Sequence, residues 1–215
     1  MKTAAKPLVA AAAVLVALAL AALIYFLVER AQRPDPASAS ILRSDTHVLD
    51  DGGADAVTVV EFLDFECEAC GAYYPVVEEL RDKYAGQITY AVRYFPLPGH
   101  FNSTNAAVAA EAAAQQGRFE DMYHRLFETQ SEWGEGQESR AELFRDYAKQ
   151  LGLDMAAYDA AVADPATEQR VRVDFDEGRT LGVSSTPTFF VDGEPLPIER
   201  WGDLESAIQD ALSKN

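Results

Sequence analysis

Cys67 and Cys70 are the only cysteines in this chain of 215 residues, and they stand as Cys67-Glu68-Ala69-Cys70. A thiolate at the amino end of a helix faces unpaired backbone N–H groups and the positive end of the helix dipole, which lower its pKa. A second sulfur three residues on lies one turn inward and can attack a mixed disulfide formed at the first. The spacing therefore suits thiol–disulfide exchange, with Cys67 exposed and acidic and Cys70 buried. Three other readings use the same residues: two core cysteines, a static disulfide, or half of a zinc site. Zinc would need two more ligands from His47, His100, His124 or carboxylates, and no histidine pair has ligand spacing.

The pair must be held by its neighbours. Val57 to Leu63 is β-branched and apolar, as a buried central strand is. Cys67 to Ala85 reads as a helix kinked at Pro75, and Ile88 to Phe95 as a second strand. Strand, helix, strand at this spacing is a βαβ unit with parallel strands. Helical signals follow over 104–114, 119–127 and 139–151, with another helix beginning at Asp154. Residues 166–181 are read as helix, although Val171, Val173 and Phe175 alternate like a strand. Thr188 to Val191 is a strand, Asp192-Gly193 a hairpin turn leading to Glu194-Pro195-Leu196, and 200–213 a closing amphipathic helix. The order predicts an α/β layer domain with a helical insertion.

Phe62-Leu63-Asp64-Phe65-Glu66-Cys67-Glu68-Ala69-Cys70-Gly71 resembles the active-site segment of DsbA-like thiol–disulfide oxidoreductases of the thioredoxin fold. Residues 182–193, with Thr186-Pro187 at their centre, are similar to that family's cis-proline loop and hairpin, and Phe95-Pro96-Leu97-Pro98-Gly99-His100 also resembles it. The resemblance implies a thioredoxin-like fold, Cys67 as nucleophile and Cys70 as resolving thiol. It also implies a substrate-binding loop at Thr186 and Pro187 that pairs with an extended segment. Glu61, six residues before Cys67, stands where relatives carry a buried acid, whose pKa would be raised and which could relay a proton to Cys70. Asp64 and Glu66 read as loop carboxylates, His47 as a solvent-facing tether residue, His100 and His124 as capping or surface residues, and Trp133 and Trp201 as packing residues. The chain departs from the family pattern at Glu68, where many relatives have Pro, and at Ser185, where many have Gly. A carboxylate at 68 opposes the Cys67 thiolate and would make a weaker oxidant.

Leu8 to Val28 is an uncharged apolar run of 21 residues. At about 1.5 Å per residue it would span roughly 31 Å, the thickness of a bilayer core. The run is too long for the hydrophobic region of a cleaved signal, and Ala37-Ser38-Ala39 lies well beyond its end. These features predict an anchor or transmembrane helix at 1–28, a flexible tether at 29–46 and a thioredoxin-fold domain at 47–215. The expected location is the cell membrane, single-pass, with the catalytic domain extracytoplasmic and residues 8–28 in the lipid. With 18 basic against 35 acidic residues the formal charge is −17, a surface that repels phosphate backbones, so nucleic acid is excluded as a partner. The expected function is a disulfide oxidase acting on cysteine-containing exported proteins. It would be reoxidised by a membrane redox partner of the quinone-linked kind the resemblance implies. Reductase action at the same site, or a binding module with a static disulfide, are the alternatives. No cofactor or metal is expected, and a monomer is, since the short tether has no room for a dimerisation domain.

Overall fold

A computed structural model of the protein describes residues 41–214. The apolar run at 8–28, and most of the segment read as a tether, lie outside the described residues. Among the described residues, no helix is long and apolar enough to cross a membrane.

Strands β1 (His47–Asp50), β2 (Val57–Leu63), β3 (Ile88–Tyr94), β4 (Thr188–Val191) and β5 (Glu194–Leu196) form one sheet in the order β1-β3-β2-β4-β5. β2 and β3 are parallel, as the βαβ reading requires, and joined by helix α1 (Glu68–Lys83), which continues through Pro75. The other three pairings are antiparallel. β2 is apolar along nearly its whole length because it is covered on both faces. Val57, Val59 and Leu63 face the larger core, while Val60 and Phe62 face a smaller one with Ala91, Phe95, Val183 and Phe190. Alternation along the strand therefore puts Glu61 on the larger core's face.

Between β3 and β4 the chain forms α2 (Ser103–Ala114), α3 (Phe119–Glu128), α4 (Gln130–Trp133), α5 (Ala141–Gln150), α6 (Met155–Ala163) and α7 (Pro165–Thr180). The insertion packs around α2, whose buried Ala106, Ala109, Ala110 and Ala113 let α3, α5, α6 and α7 approach closely. Helix α8 (Asp203–Leu212) closes the fold against β2 and β4.

One local reading that the sequence left finely balanced holds, and another is corrected. The segment read as helix over 166–181 is helical as far as Thr180, with Thr167, Val171, Asp174, Glu177 and Gly178 buried at helical spacing. A Cβ at Gly178 would lie 2.9 Å from the rings of both Phe62 and Phe95, so glycine lets α7 lie flush on the sheet. Arg93 of β3, fully buried, meets Asp174 at 2.8 Å and Glu177 at 2.5 Å, and Glu177 also takes Arg43 at 2.5 Å. His47 is not solvent-facing: its Nε2 lies 2.8 Å from Glu111, its ring stacks on Phe119, and it belongs to the edge strand β1.

Candidate active site

Cys67 is the residue that caps the amino end of α1, with extended backbone at φ −69° and ψ 120°. Its N–H donates to the Asp64 carbonyl at 3.1 Å and its carbonyl accepts from the Gly71 N–H at 3.0 Å, so the turn carrying the sulfur is tied at both ends. The Cys67 thiol is held down to a pKa of about 5. A hydrogen bond from the Cys70 thiol is the main cause; burial opposes it, and the Thr186 side chain and the N–H groups of Cys70 and Ala69 add to it. Burial first, then donation to Cys67 and the nearby Glu61 charge, push the Cys70 thiol well above its usual range. The expected contrast in acidity is present, but the expected exposure of Cys67 is corrected. Cys67 is 8% exposed and Cys70 is 0%. The loop at Thr186 covers the first sulfur.

That loop arrives from 119 residues away, and the Cys67 Sγ lies 3.4 Å from the Thr186 carbonyl oxygen. The Thr186–Pro187 peptide bond is cis. Antiparallel pairing of β2 with β4, with Phe62 opposite Thr188, delivers the loop to the end of the strand that precedes the cysteines. Among the described residues the buried Thr186 hydroxyl has no hydrogen-bond partner. Beside the loop runs a groove of about 460 Å³ lined by Ala69, Tyr73, Pro187, Ile198 and Trp201 among others. Trp201 is 59% exposed and stacks on Tyr73 at 4.8 Å, so it borders this groove and is not a core packing residue. Trp133 is buried and donates its indole N–H to the Leu126 carbonyl.

Glu61 is 3% exposed and accepts a hydrogen bond from the Tyr90 hydroxyl. Burial raises its carboxyl to a pKa of about 7; the Tyr90 bond works against this, and the charges of Glu78 and Cys67 add to it. Glu68 sits exposed in the first turn of α1, where a hydrogen bond with it raises the Glu135 carboxyl. The leading influences on Cys67 are Cys70, burial, Thr186 and backbone N–H groups, and Glu68 is not among them.

The loop before Cys67 is anchored by its own carboxylates. Asp64 accepts from the Leu97 N–H at 2.9 Å and the Ser103 hydroxyl at 2.7 Å, and lies 2.7 Å from His100 Nδ1. His100 is therefore part of the site's surround. Burial lowers its pKa, but the Asp64 carboxylate and the Cys67 charge outweigh this and raise it. His124 stands apart, with Nδ1 at 2.8 Å from the Tyr74 hydroxyl. Glu66 accepts from the Asn102 N–H at 2.5 Å, and its other oxygen is buried with no hydrogen-bond partner among the described residues. Two residues with no sequence signal complete the surround. Asn102 ties α2 to the carbonyls of Gly136 and Glu138, and Gln130 reaches from α4 to the cysteine turn itself.

The geometry agrees with what the chain resembles. It is 35% identical over 170 residues to a protein of Mycobacterium sp. strain KMS named Na(+)/H(+) antiporter NhaA 1, a match covering 75% of this chain and 26% of that protein. The chain thus spans about a quarter of the length of the curated relatives it matches. A thioredoxin-like oxidoreductase from Silicibacter pomeroyi superposes with a TM-score of 0.64 at 27% identity, covering 80% of this chain and 94% of that one. The thiol-disulfide exchange protein alpha-DsbA2 from Wolbachia pipientis gives 0.65 at 24% identity, covering 79% and 89%. These relatives correct the expected single-pass location in the cell membrane. The similar curated proteins are named Na(+)/H(+) antiporters, and among the described residues no helix is long and apolar enough to cross a membrane. A family model described as thioredoxin matches residues 46–210, which takes in the sheet, the cysteine pair, the insertion and the cis-proline loop, and the chain belongs to that family.

Proposed function

We propose that the domain at 47–215 is a DsbA-like protein thiol–disulfide oxidoreductase working mainly as a disulfide oxidase. The observation that carries this reading is the geometry of the pair: Cys67 caps the amino end of α1 with its Sγ 3.4 Å from the Thr186 carbonyl beside the cis Thr186–Pro187 bond, and Cys70 lies buried one turn on, so that the pKa of the first thiol is pushed down and that of the second up. A disulfide whose reduced form is stabilised as a thiolate is a stronger oxidant. The redox descriptions of the similar structures support the same class.

In the oxidising direction, a substrate thiolate attacks Cys67 Sγ of the Cys67–Cys70 disulfide. A bond forms between the substrate sulfur and Cys67, and Cys70 leaves with the electron pair. Glu61, near neutral pKa in the same buried region, supplies the proton that Cys70 takes up. A second substrate thiolate then attacks the substrate sulfur of the mixed disulfide and displaces Cys67 as its stabilised thiolate. The substrate has lost two electrons and the enzyme has gained them, so a partner acceptor, disulfide or quinone-linked, must restore the Cys67–Cys70 bond. Substrates are cysteine-containing proteins, whose extended segment pairs with the backbone at Thr186 beside Pro187. The exposed ring of Trp201 gives that segment an apolar wall.

Cys70→Ser tests this directly. Incubated with a protein disulfide or oxidised glutathione, the variant accumulates a mixed disulfide at Cys67. A chain that traps nothing has a static pair. The equilibrium potential against glutathione sets the direction, and a value in the thioredoxin range of about −270 mV would make it a reductase.

A further inference from the structure

Gln130 occupies the first position of the short helix α4, in the insertion, yet its side chain contacts the cysteine turn. Its Nε2 donates to the Phe65 carbonyl at 2.8 Å and to the Cys67 carbonyl at 2.9 Å. Both amide protons are thereby used, and two carbonyl oxygens in reach settle which end of the carboxamide is nitrogen. The Cys67 carbonyl also accepts the Gly71 N–H, the first closing bond of α1. Gln130 therefore grips the residue before the nucleophile's loop bend and the nucleophile itself. The seat is tight: a Cβ on Gly71 would lie 2.0 Å from Gln130 Oε1 and 2.7 Å from Cδ. No side chain larger than hydrogen fits at 71 while the carboxamide is in place.

We propose that Gln130 is a positioning residue for thiol–disulfide exchange, clamping the 65–67 turn so that the N–H groups of Ala69 and Cys70 stay aimed at Cys67 Sγ. The role rests on the function proposed above, but its test does not. Titration of a thiolate needs no substrate or redox partner, whereas failure to trap a mixed disulfide would leave the clamp standing.

The experiment uses the full chain, reduced, with Gln130→Met, which keeps the side chain's length and volume but has no N–H, and Gln130→Ala. Thiolate absorbance is followed against pH, and thermal melting is recorded for each variant. The expected result is a Cys67 midpoint about one unit higher, or about tenfold less thiolate at a pH below both midpoints. Gly71→Ala should give a similar shift by evicting the carboxamide, and should add nothing in the Gln130→Ala background, where the three atoms its methyl would meet first are gone. A lower melting temperature with an unchanged Cys67 midpoint would make Gln130 a fold residue only and overturn the proposal. Shifts that add in the double variant would overturn it as well, because the two side chains would then act independently.

Discussion

The Tyr90 hydroxyl donates to the Glu61 carboxylate across two parallel strands, in the larger core and away from water. Tyr90 stands opposite Val59, so its side chain leans one alternate position along the neighbouring strand to reach Glu61. The bond favours the ionised acid, yet burial prevails and the carboxyl stays near neutral pKa. The folded protein then holds a proton that the unfolded chain, with an ordinary glutamate near 4.5, releases. Stability from this group is complete below about pH 4.5 and is lost as pH rises towards 7. The loss amounts to about 3 kcal/mol. In urea denaturation of the oxidised protein, Glu61→Gln should remove this slope, and parallel pH profiles for parent and variant would show that Glu61 ionises normally.

The opposed thiols set how the reduction potential varies with pH. Above about pH 5, and below the raised Cys70 pKa, reduction takes up two electrons and one proton, because Cys67 remains a thiolate. The potential should fall by about 30 mV per pH unit there, and by about 60 mV per unit below pH 5. Alkylation near pH 6 should label Cys67 alone. A single slope through pH 5 would mean that Cys67 titrates as an ordinary thiol.

Thr186 contributes to that acidity through its hydroxyl, which has no other hydrogen-bond partner and can turn to the thiolate. Thr186→Val keeps the branched shape and removes the donor. The Cys67 pKa should rise by about one unit and the potential drop by about 30 mV. Glu68→Gln should act in the opposite sense and more weakly, by about 10 mV, since its exposed carboxylate is screened. Equal and opposite effects would restore Glu68 to the leading role that its position beside Cys67 suggests.

The ion cluster of β3 and α7 governs stability, not chemistry. Asp174→Asn leaves Arg93 in the core with one full charge fewer beside it. Breaking a buried pair on one side costs about 3 kcal/mol, roughly 10 °C in melting temperature for a domain of this size. The Cys67 titration should be unchanged. A shift in that titration would connect α7 electrically to the active site.

What the sequence shows of this molecule depends on how far each signal reaches. β2, β3, the cysteine turn and the Asp192-Gly193 hairpin are local patterns, and each lies where the residues predict it. Residues 166–181 are ambiguous in sequence because Val171, Val173 and Phe175 alternate like a strand, while what fixes the helix against the sheet, the buried pair Asp174 and Glu177, has its partner far away. Their partner Arg93, 81 residues before the first and 84 before the second, is what makes them interior. The slight exposure of Cys67 was hidden for the same reason, since spacing aims the sulfur outward but cannot place Thr186 over it. Gln130 and Asn102 carry no periodicity at all, and their meaning lies only in which carbonyls and N–H groups the folded insertion brings to them.

The pairing of β4 with β2 also has a bearing on when the protein becomes reactive. The cysteines precede the loop that covers them by more than a hundred residues, and the whole insertion lies between. A chain emerging during synthesis displays Cys67 and Cys70 as two ordinary thiols, without the Thr186 hydroxyl, the insertion's hold on the turn, or a buried Glu61. Such a chain is itself open to oxidation at either sulfur, with nothing to set one apart from the other. Reactivity is thus a reward for completion: only a fully docked β4 turns an unremarkable pair of thiols into an acid and its opposite.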